Sequence, residues 1–297
     1  MPRVCVALAV YNGAETLAKS LQSALDQTYR DFSILVVDDG STDGSGDIAM
    51  AMGARVVTQT NQGLGAGRKK LVEEADGEFV AFLDHDDFWV PDKLEKQVAA
   101  LDQTGAAMVH SDCMFVYSDT GQIKSRFASI PKNADAFDHI LPSNQVIASS
   151  AVFRTEAMRD AGNFVAETVR CSDWYGWFIL AAQNEFVHLP EVQVMYTVRS
   201  TSLANAGYRF HEAQHYLLTE QIVPRFDELF KRCSEAQKRK YRKMLEKDIG
   251  VAASSMAKHL GKLGRKEEAL ELHREALRKA PTVPRVWTRA LRGRLGK

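Results

Sequence analysis

Phe82-Leu83-Asp84-His85-Asp86-Asp87 decides how the rest of this chain is read. Three carboxylates fall within four residues, directly behind the apolar run Glu78-Phe79-Val80-Ala81-Phe82-Leu83. That run reads as a buried strand ending in an acidic turn. Carboxylates crowded this way repel one another and cost stability unless a cation lies between them. A hard divalent ion, Mg²⁺ or Mn²⁺, takes oxygen ligands of this kind and bridges readily to substrate phosphates. The plain alternative is a solvated loop that caps a helix over Pro91 to Leu101, and an isolated Asp-x-Asp triplet favours it.

The triplet is not isolated. Ser33-Ile34-Leu35-Val36-Val37 runs into a second acidic turn, Asp38-Asp39-Gly40-Ser41-Thr42-Asp43. The strand is apolar throughout, as expected when both faces of a parallel strand are buried. Two strands ending in carboxylates imply one crevice at the carboxyl edge of an open α/β sheet, where such sheets bind ligands.

Around these turns the first hundred or so residues alternate strand and helix. Strands are expected at Val4 to Val10, Ser33 to Val37, Ala54 to Val57 and Glu78 to Leu83. Helices are expected at Ala14 to Asp26, Asp43 to Ala51 and Gly65 to Ala75. Short loops between such units predict a doubly wound, mostly parallel sheet. Further strands at Ala106 to Ser111, Asp112 to Tyr117, Ala148 to Arg154 and Val192 to Val198 make the sheet mixed. From about Phe210 the pattern is helical, over His211 to Lys231, Ser234 to Leu263 and Lys266 to Lys279. Residues 1–209 are therefore expected to form an α/β domain, and residues 210–297 a basic α-helical extension.

The charge distribution supports that division. The 297 residues carry 38 basic and 38 acidic side chains. From Phe226 onward there are 20 Lys and Arg against 9 Asp and Glu, leaving 18 basic and 29 acidic residues before it. The body is acidic and the tail basic. The basic, amphipathic stretch from Val286 to Leu295 is read as a surface for peripheral contact with an anionic membrane, the alternative being a frayed basic terminus. No reader motif for nucleic acid is present, so no nucleic-acid partner is expected. No run approaches ~20 apolar residues, so no membrane span is expected. Met1-Pro2-Arg3 leads straight into a strand without a signal peptide. Cys5, Cys113, Cys171 and Cys233 are widely spaced, which suits reduced thiols and a cytoplasmic location.

Several other residues have the chemistry of a site. Asn61-Gln62-Gly63-Leu64-Gly65-Ala66-Gly67-Arg68 lacks both the dinucleotide and the P-loop spacing. It reads as a loop whose backbone approaches a ligand, with Arg68 placed to pair with a phosphate or a carboxylate. Asp173, before Trp174, is either a helix N-cap or an acid whose pKa an apolar wall raises. Arg199 and the hydroxyls up to Ser202 form a turn that suits phosphates or solvent. His85 lacks a second His at metal spacing and reads as a loop residue, not a ligand, and His110, ending a strand, reads as structural.

In their fixed order, Ala9-Val10-Tyr11-Asn12, Val37 to Asp43, Asn61-Gln62-Gly63, Arg68 and Phe82 to Asp87 resemble family 2 glycosyltransferases, over roughly residues 3–205. The resemblance implies a GT-A-type fold, an inverting transfer from a nucleotide-sugar, by family habit a UDP-sugar, and a Mn²⁺ or Mg²⁺ ion. It implies that Tyr11 and Asn12 border the base and ribose. Asp39 would accept a hydrogen bond from the base, with Asp38 supporting the turn. Arg68 would hold the nucleotide pocket, Asp84 would face the ribose, and Asp86 would bind the ion. Asp173 would be the general base and Arg199 would lie near the diphosphate. Two departures stand out: Ala9 where many relatives have Pro, and Ser172 where an acidic residue usually precedes the base. Glu167 is the reserve candidate for the base.

The resemblance further implies a glycan or lipid-linked acceptor and a part in cell-surface polysaccharide synthesis. Two other readings start from the same residues. A nucleotidyltransferase would want basic residues directly after the first strand, and Tyr11-Asn12-Gly13-Ala14-Glu15 has none. A non-catalytic binding module is at odds with Asp39, Asp84, Asp86 and Asp173 all being present.

Overall fold

In this computed structural model, which describes residues 1–166, 170–199 and 208–294, the chain divides into two compact units. Glu167, Ser202 and Leu295 lie outside the described residues. The first unit comprises Met1–Ile140 and Asn144–Ser200, and the second Leu141–Ser143 and Thr201–Lys297.

The first unit is built on one sheet. Its elements in order are β1 (Val4–Val10), α1 (Ala14–Leu25), β2 (Phe32–Asp38), α2 (Ser45–Ala51), β3 (Arg55–Thr58), α3 (Leu64–Glu74) and β4 (Phe79–Phe82). Then come β5 (Phe88–Trp89), α4 (Lys93–Thr104), β6 (Met108–Tyr117), β7 (Ile123–Arg126), β8 (Val152–Arg154), α5 (Thr155–Asp160), α6 (Ser172–Ala181) and β9 (Phe186–Val198). The sheet order is β3-β2-β1-β4-β8-β6-β9-β5, with β7 paired to β6. β1 to β4 are mutually parallel, and β8 joins β4 and β6 by antiparallel pairing. The parallel half carries both acidic turns at its carboxyl edge.

Side-chain size sets the layers. Val4, Val6, Leu8 and Val10 of β1 share a core with Leu17, Leu21 and Ala24 of α1. Burying side chains of this size contributes roughly 1.5–3 kcal/mol each. Residues on the opposite face are small. A Cβ on Gly67 would stand 3.1 Å from Ala9 Cβ, so α3 rests directly on β1. Gly65 and Gly67 therefore lie in α3, as the helix expected from Gly65 has it, and the ligand-facing loop reading is left to residues 61–63.

The structure corrects three other expectations. The two strands predicted on either side of Ser111 are one strand, β6, with register shifts against β9 at Ser111, Asp112 and Cys113. A bulge of this sort bends the strand without ending it. Residues 148–150 form a tight 3₁₀ turn instead of a strand, so β8 begins only at Val152. The helix expected over His211 to Lys231 is broken. It comprises α7 (Tyr208–Tyr216), a π turn (Leu217–Ile222), a 3₁₀ turn (Val223–Arg225) and the short α8 (Phe226–Leu229). Pro224 has no N–H to continue the ladder.

The second unit continues with α9 (Glu235–Lys262), α10 (Lys266–Lys279) and α11 (Pro284–Arg294). Ser234 starts α9 with a capping box: its Oγ accepts from Gln237 N–H, and Gln237 Oε1 accepts from Ser234 N–H. Ala253, Ala276, Ala280, Val283 and Val286 form a small core among the three helices.

Candidate active site

The carboxyl ends of β1 and β2 are tied together. Asn12 sits at φ 50°, in the left-handed region that Asn tolerates. Its N–H donates to Ser41 Oγ at 2.9 Å, and its Oδ1 accepts from Thr42 N–H at 2.9 Å. Tyr11 is exposed. Asp38 Oδ1 accepts from Ser41 N–H at 2.8 Å. Asp39 is buried; its Oδ1 accepts from Gln59 Nε2 and Gln62 N–H, and its Oδ2 from Gly63 N–H at 2.7 Å. A carboxylate has about four lone-pair sites. Three are engaged, which leaves one on Oδ2 for an outside donor. Gly40, at φ 79°, makes the turn beside it, within 3.1 Å of Asn61 N if it carried a Cβ.

The first turn also meets the acidic turn after β4. A Cβ on Gly13 would stand 2.7 Å from His85 Nδ1, so glycine lets the ring close over the start of α1. Thr16 Oγ1 lies 3.2 Å from the same nitrogen. His85 thus packs as a structural residue.

Asp87 is fully buried and braces the acidic turn. Its Oδ1 accepts from Thr197 N–H at 2.8 Å, and its Oδ2 from Ser149 Oγ. Ser149 Oγ in turn accepts from Asp84 N–H at 3.0 Å, and Thr197 Oγ1 donates to the Asp86 carbonyl. Burial, with the charges of Asp84 and Asp86, raises the Asp87 pKa well above the usual carboxylate range. Asp86 remains partly exposed. Burial raises its pKa too, Asp84 adding to the shift and His85 and Arg199 opposing it. Arg199 Nε lies 3.6 Å from Asp86 Oδ2, and its Nη1 lies 3.8 Å from Glu15 Oε2.

Arg68 links the two halves of the site. Its side chain is only 6% exposed. Nη1 donates to Ser172 Oγ at 2.8 Å and lies 3.7 Å from Asp173 Oδ1; Nη2 donates to Asp84 Oδ1 at 3.3 Å. The guanidinium carbon is 5.8 Å from the centre of the Phe82 ring. Ser172, in place of an acidic residue, still serves the arginine as an acceptor. Asp173 lies in the first turn of α6, whose Trp177 packs with Phe82, Phe153 and Phe164. Burial raises its pKa, and the positive charge of Arg68 acts against that rise.

Arg68 and Asp84 thus come together with Asp173, and Asp86 with Arg199. Ser149, Thr197 and Asn144 are site residues that the sequence did not reveal. A Ser-Ser pair inside an apolar run, Ser149-Ser150, was the one available signal; Thr197 and Asn144 had none.

Among the described residues, no three His, Cys, Asp or Glu side chains converge to hold a metal ion. Asp86 offers a partly exposed carboxylate that faces Arg199. A divalent ion fits such a place as one shared between a carboxylate and substrate phosphates, the usual manner of Mg²⁺.

The family model described as Glycosyl transferase family 2 matches residues 5–161. The chain belongs to this family. An uncharacterized glycosyltransferase of Haemophilus influenzae is 38% identical over 130 residues, covering 42% of this chain and 52% of that protein. The putative teichuronic acid biosynthesis glycosyltransferase TuaG of Bacillus subtilis is 33% identical over 138 residues, 44% of this chain and 54% of that one. This family 2 chain spans between about a third and just over half of the length of the curated relatives it matches. The crystal structure of S. aureus TarS 1-349 in complex with UDP-GlcNAc aligns with a TM-score of 0.64 at 17% identity, covering 99% of this chain and 92% of that one. That likeness shows a shared GT-A-type fold: a mixed α/β sheet followed by C-terminal helices.

Proposed function

We propose that this family 2 chain is an inverting glycosyltransferase. It moves a sugar from a UDP-sugar to a hydroxyl of a glycan or lipid-linked acceptor in cell-surface polysaccharide synthesis. The observation that carries the reading is the bridge of Arg68 between Asp84 and Asp173. It joins the acidic turn after β4 to the Asp173 carboxylate, which supports reading that turn as part of a nucleotide site and Asp173 as the base. The complex of TarS with UDP-GlcNAc and the teichuronic acid relative support the donor and the pathway class. Residues 1–209 are assigned to donor binding and catalysis.

In this reading Tyr11, Asn12, Asp38 and Asp39 receive the base and ribose, and the remaining lone pair of Asp39 Oδ2 accepts the uracil N–H. Arg68 and Asp84 border the ribose, and Arg199 faces the diphosphate. Asp86 would hold Mn²⁺ or Mg²⁺, which when bound neutralises charge on the leaving diphosphate. Asp173 takes the proton of the acceptor hydroxyl. That oxygen forms its bond to the anomeric carbon as the bond to the diphosphate oxygen breaks, and the electron pair leaves with UDP. One displacement from the face opposite the leaving group inverts configuration. The raised pKa of Asp173 makes it a stronger base than a solvated aspartate. No described helix is long and apolar enough to cross a membrane. Peripheral contact at the cytoplasmic face, through the basic α11, belongs to the same proposal.

Calorimetric titration of UDP with Mn²⁺, Mg²⁺ or EDTA, on the wild type and Asp86→Ala, tests it. Metal-dependent binding should appear in the wild type and fall at least tenfold in the variant. Binding of a different nucleoside diphosphate would keep the fold and change the donor. No binding of any would leave a non-catalytic module.

A further inference from the structure

Asp173 is oriented by a residue outside every motif described above. Asn144 Nδ2 donates to Asp173 Oδ2 at 3.0 Å. The direction of the amide is set by its other end. Its Oδ1 accepts from Val146 N–H at 3.1 Å, which leaves the NH₂ group to face the carboxylate. The Asn144 backbone is held as well. Its carbonyl accepts from Arg126 Nη2 at 3.0 Å, and the Arg126 guanidinium carbon lies 5.5 Å from the centre of the Phe115 ring. The neighbouring Gln145 Oε1 accepts from Ser129 N–H at 2.7 Å. The position of Asn144 is therefore set by the β6–β7 hairpin and the segment after it.

On the other oxygen the contact differs in kind. Arg68 Nη1 is 3.7 Å from Asp173 Oδ1, too long for a hydrogen bond. Arg68 supplies charge without direction, and Asn144 supplies direction without charge. The terminal torsion of an aspartate is soft, so losing Asn144 leaves the carboxylate only the backbone N–H groups of its own helix end to direct it.

We propose that Asn144 is a positioning residue for Asp173, fixing the rotation of its carboxylate and favouring its charged form. The proposal rests on reading Asp173 as the base. It makes the base depend on residues 126–146, a stretch that no nucleotide motif includes, so what this stretch binds is felt at Asp173. A donor to the charged form lowers a carboxyl pKa. The Trp174 N–H at the start of α6 also favours the charged form, and the other groups facing Asp173 are Arg68 from α3, Asp84 after β4, Tyr196 from β9 and the adjacent Cys171. None of them changes when Asn144 is replaced.

The test needs no acceptor. Full-length protein carrying ¹³C-labelled aspartate is titrated by NMR, with the Asp173 resonance assigned by its loss in Asp173→Asn. In Asn144→Ala the Asp173 pKa should rise by about one unit, the size expected for losing a hydrogen bond to a charged group. Asn144→Asp keeps the shape but sets a second carboxylate beside the first, and should raise it further. Thermal melts confirm that both variants fold. UDP release from a panel of UDP-sugars in water gives the rate. For Asn144→Ala, kcat should fall roughly ten- to hundredfold with KM little changed. The acidic limb of its pH profile should move up with the NMR value. An Asp173 titration unmoved in both variants overturns the proposal. Full turnover by Asp173→Asn overturns the base reading itself, and with it the catalytic half of the proposal, whatever the NMR shows.

Discussion

Arg68 shows at the scale of one residue why guanidinium is used here and ammonium is not. Three oxygens surround it in different directions: Ser172 Oγ and Asp84 Oδ1 accept hydrogen bonds, and Asp173 Oδ1 lies 3.7 Å away as an ion-pair partner. A planar fork meets them together, whereas a Lys ammonium is one point charge on a flexible stem. Removing the cation strands two carboxylates that are only partly exposed, a third for Asp84 and a quarter for Asp173. Arg68→Met should therefore cost about 1–3 kcal/mol, below the figure for a fully buried pair. It should lower the melting temperature by several degrees. Arg68→Lys should recover part of that stability while UDP affinity stays low, since charge returns without the fork. Differential scanning calorimetry and UDP titration check both. Equal melting temperatures for all three proteins would show that the bridge contributes nothing to the fold.

At the scale of elements, the pairing of β6 with β9 builds a polar cluster that no stretch of sequence announces. His110 and His188 are register partners with rings stacked at 4.9 Å. His110 Nε2 lies 2.8 Å from His139 Nδ1, and His188 Nε2 lies 2.9 Å from Asp112 Oδ1. Burial holds His110 well below its usual pKa and His139 at about 4, neighbouring histidines adding to both shifts. Both are thus neutral in the native state. The unfolded chain binds their protons as pH falls through about 6.5, and native His139 does so only near 4. Stability should be complete above about pH 6.5 and decline as pH falls toward 4, by on the order of 3 kcal/mol from His139 alone. Asp87 and Asp173, with raised pKa values, slope the other way, so the informative quantity is a difference. Urea unfolding at several pH values should give a steeper acid loss for the wild type than for His139→Gln. Parallel curves would refute the assignment. The contrast with the nucleotide half of the fold is physical. Parallel strands such as Ile34 to Val37 are buried on both faces and carry an apolar run that can be read directly. The turn at 148–150 and the bulge at 111–113 share that local pattern. What distinguishes them is a partner far along the chain: Asp87 for Ser149 and β9 for Asp112. Asp84 and Asp86 stood out because acids clustered after an apolar run are conspicuous, whereas Asp173 stood out only through the aromatics behind it and the resemblance. Asn144 did not, because an isolated Asn has no local signature.

For the whole molecule, the separation of charge along the chain implies a use for the second unit. Val286 and Ala290 of α11 are buried, while Trp287 and Leu291, four residues apart, are about half exposed. Trp287 Nε1 donates to the Pro281 carbonyl at 2.7 Å, so the indole N–H is already satisfied while the ring stays in solvent. The sequence of this helix adds Arg285, Arg292 and Arg294, and no acid, while Arg289 donates to Ser255 Oγ of α9 at 2.8 Å. Exposed apolar residues on a helix rich in arginine and without acids suit contact with an anionic surface. Each basic residue near such a surface contributes about 1 kcal/mol, screened within a Debye length. Full-length protein should therefore sediment with vesicles containing a third phosphatidylglycerol, and not with neutral vesicles. Binding should weaken steeply between low and high salt. Arg285→Glu combined with Trp287→Ser reverses one charge and removes the exposed ring, and should weaken binding tenfold or more. Binding that ignored both salt and this double substitution would remove α11 from the membrane surface and leave its exposed row to a protein partner.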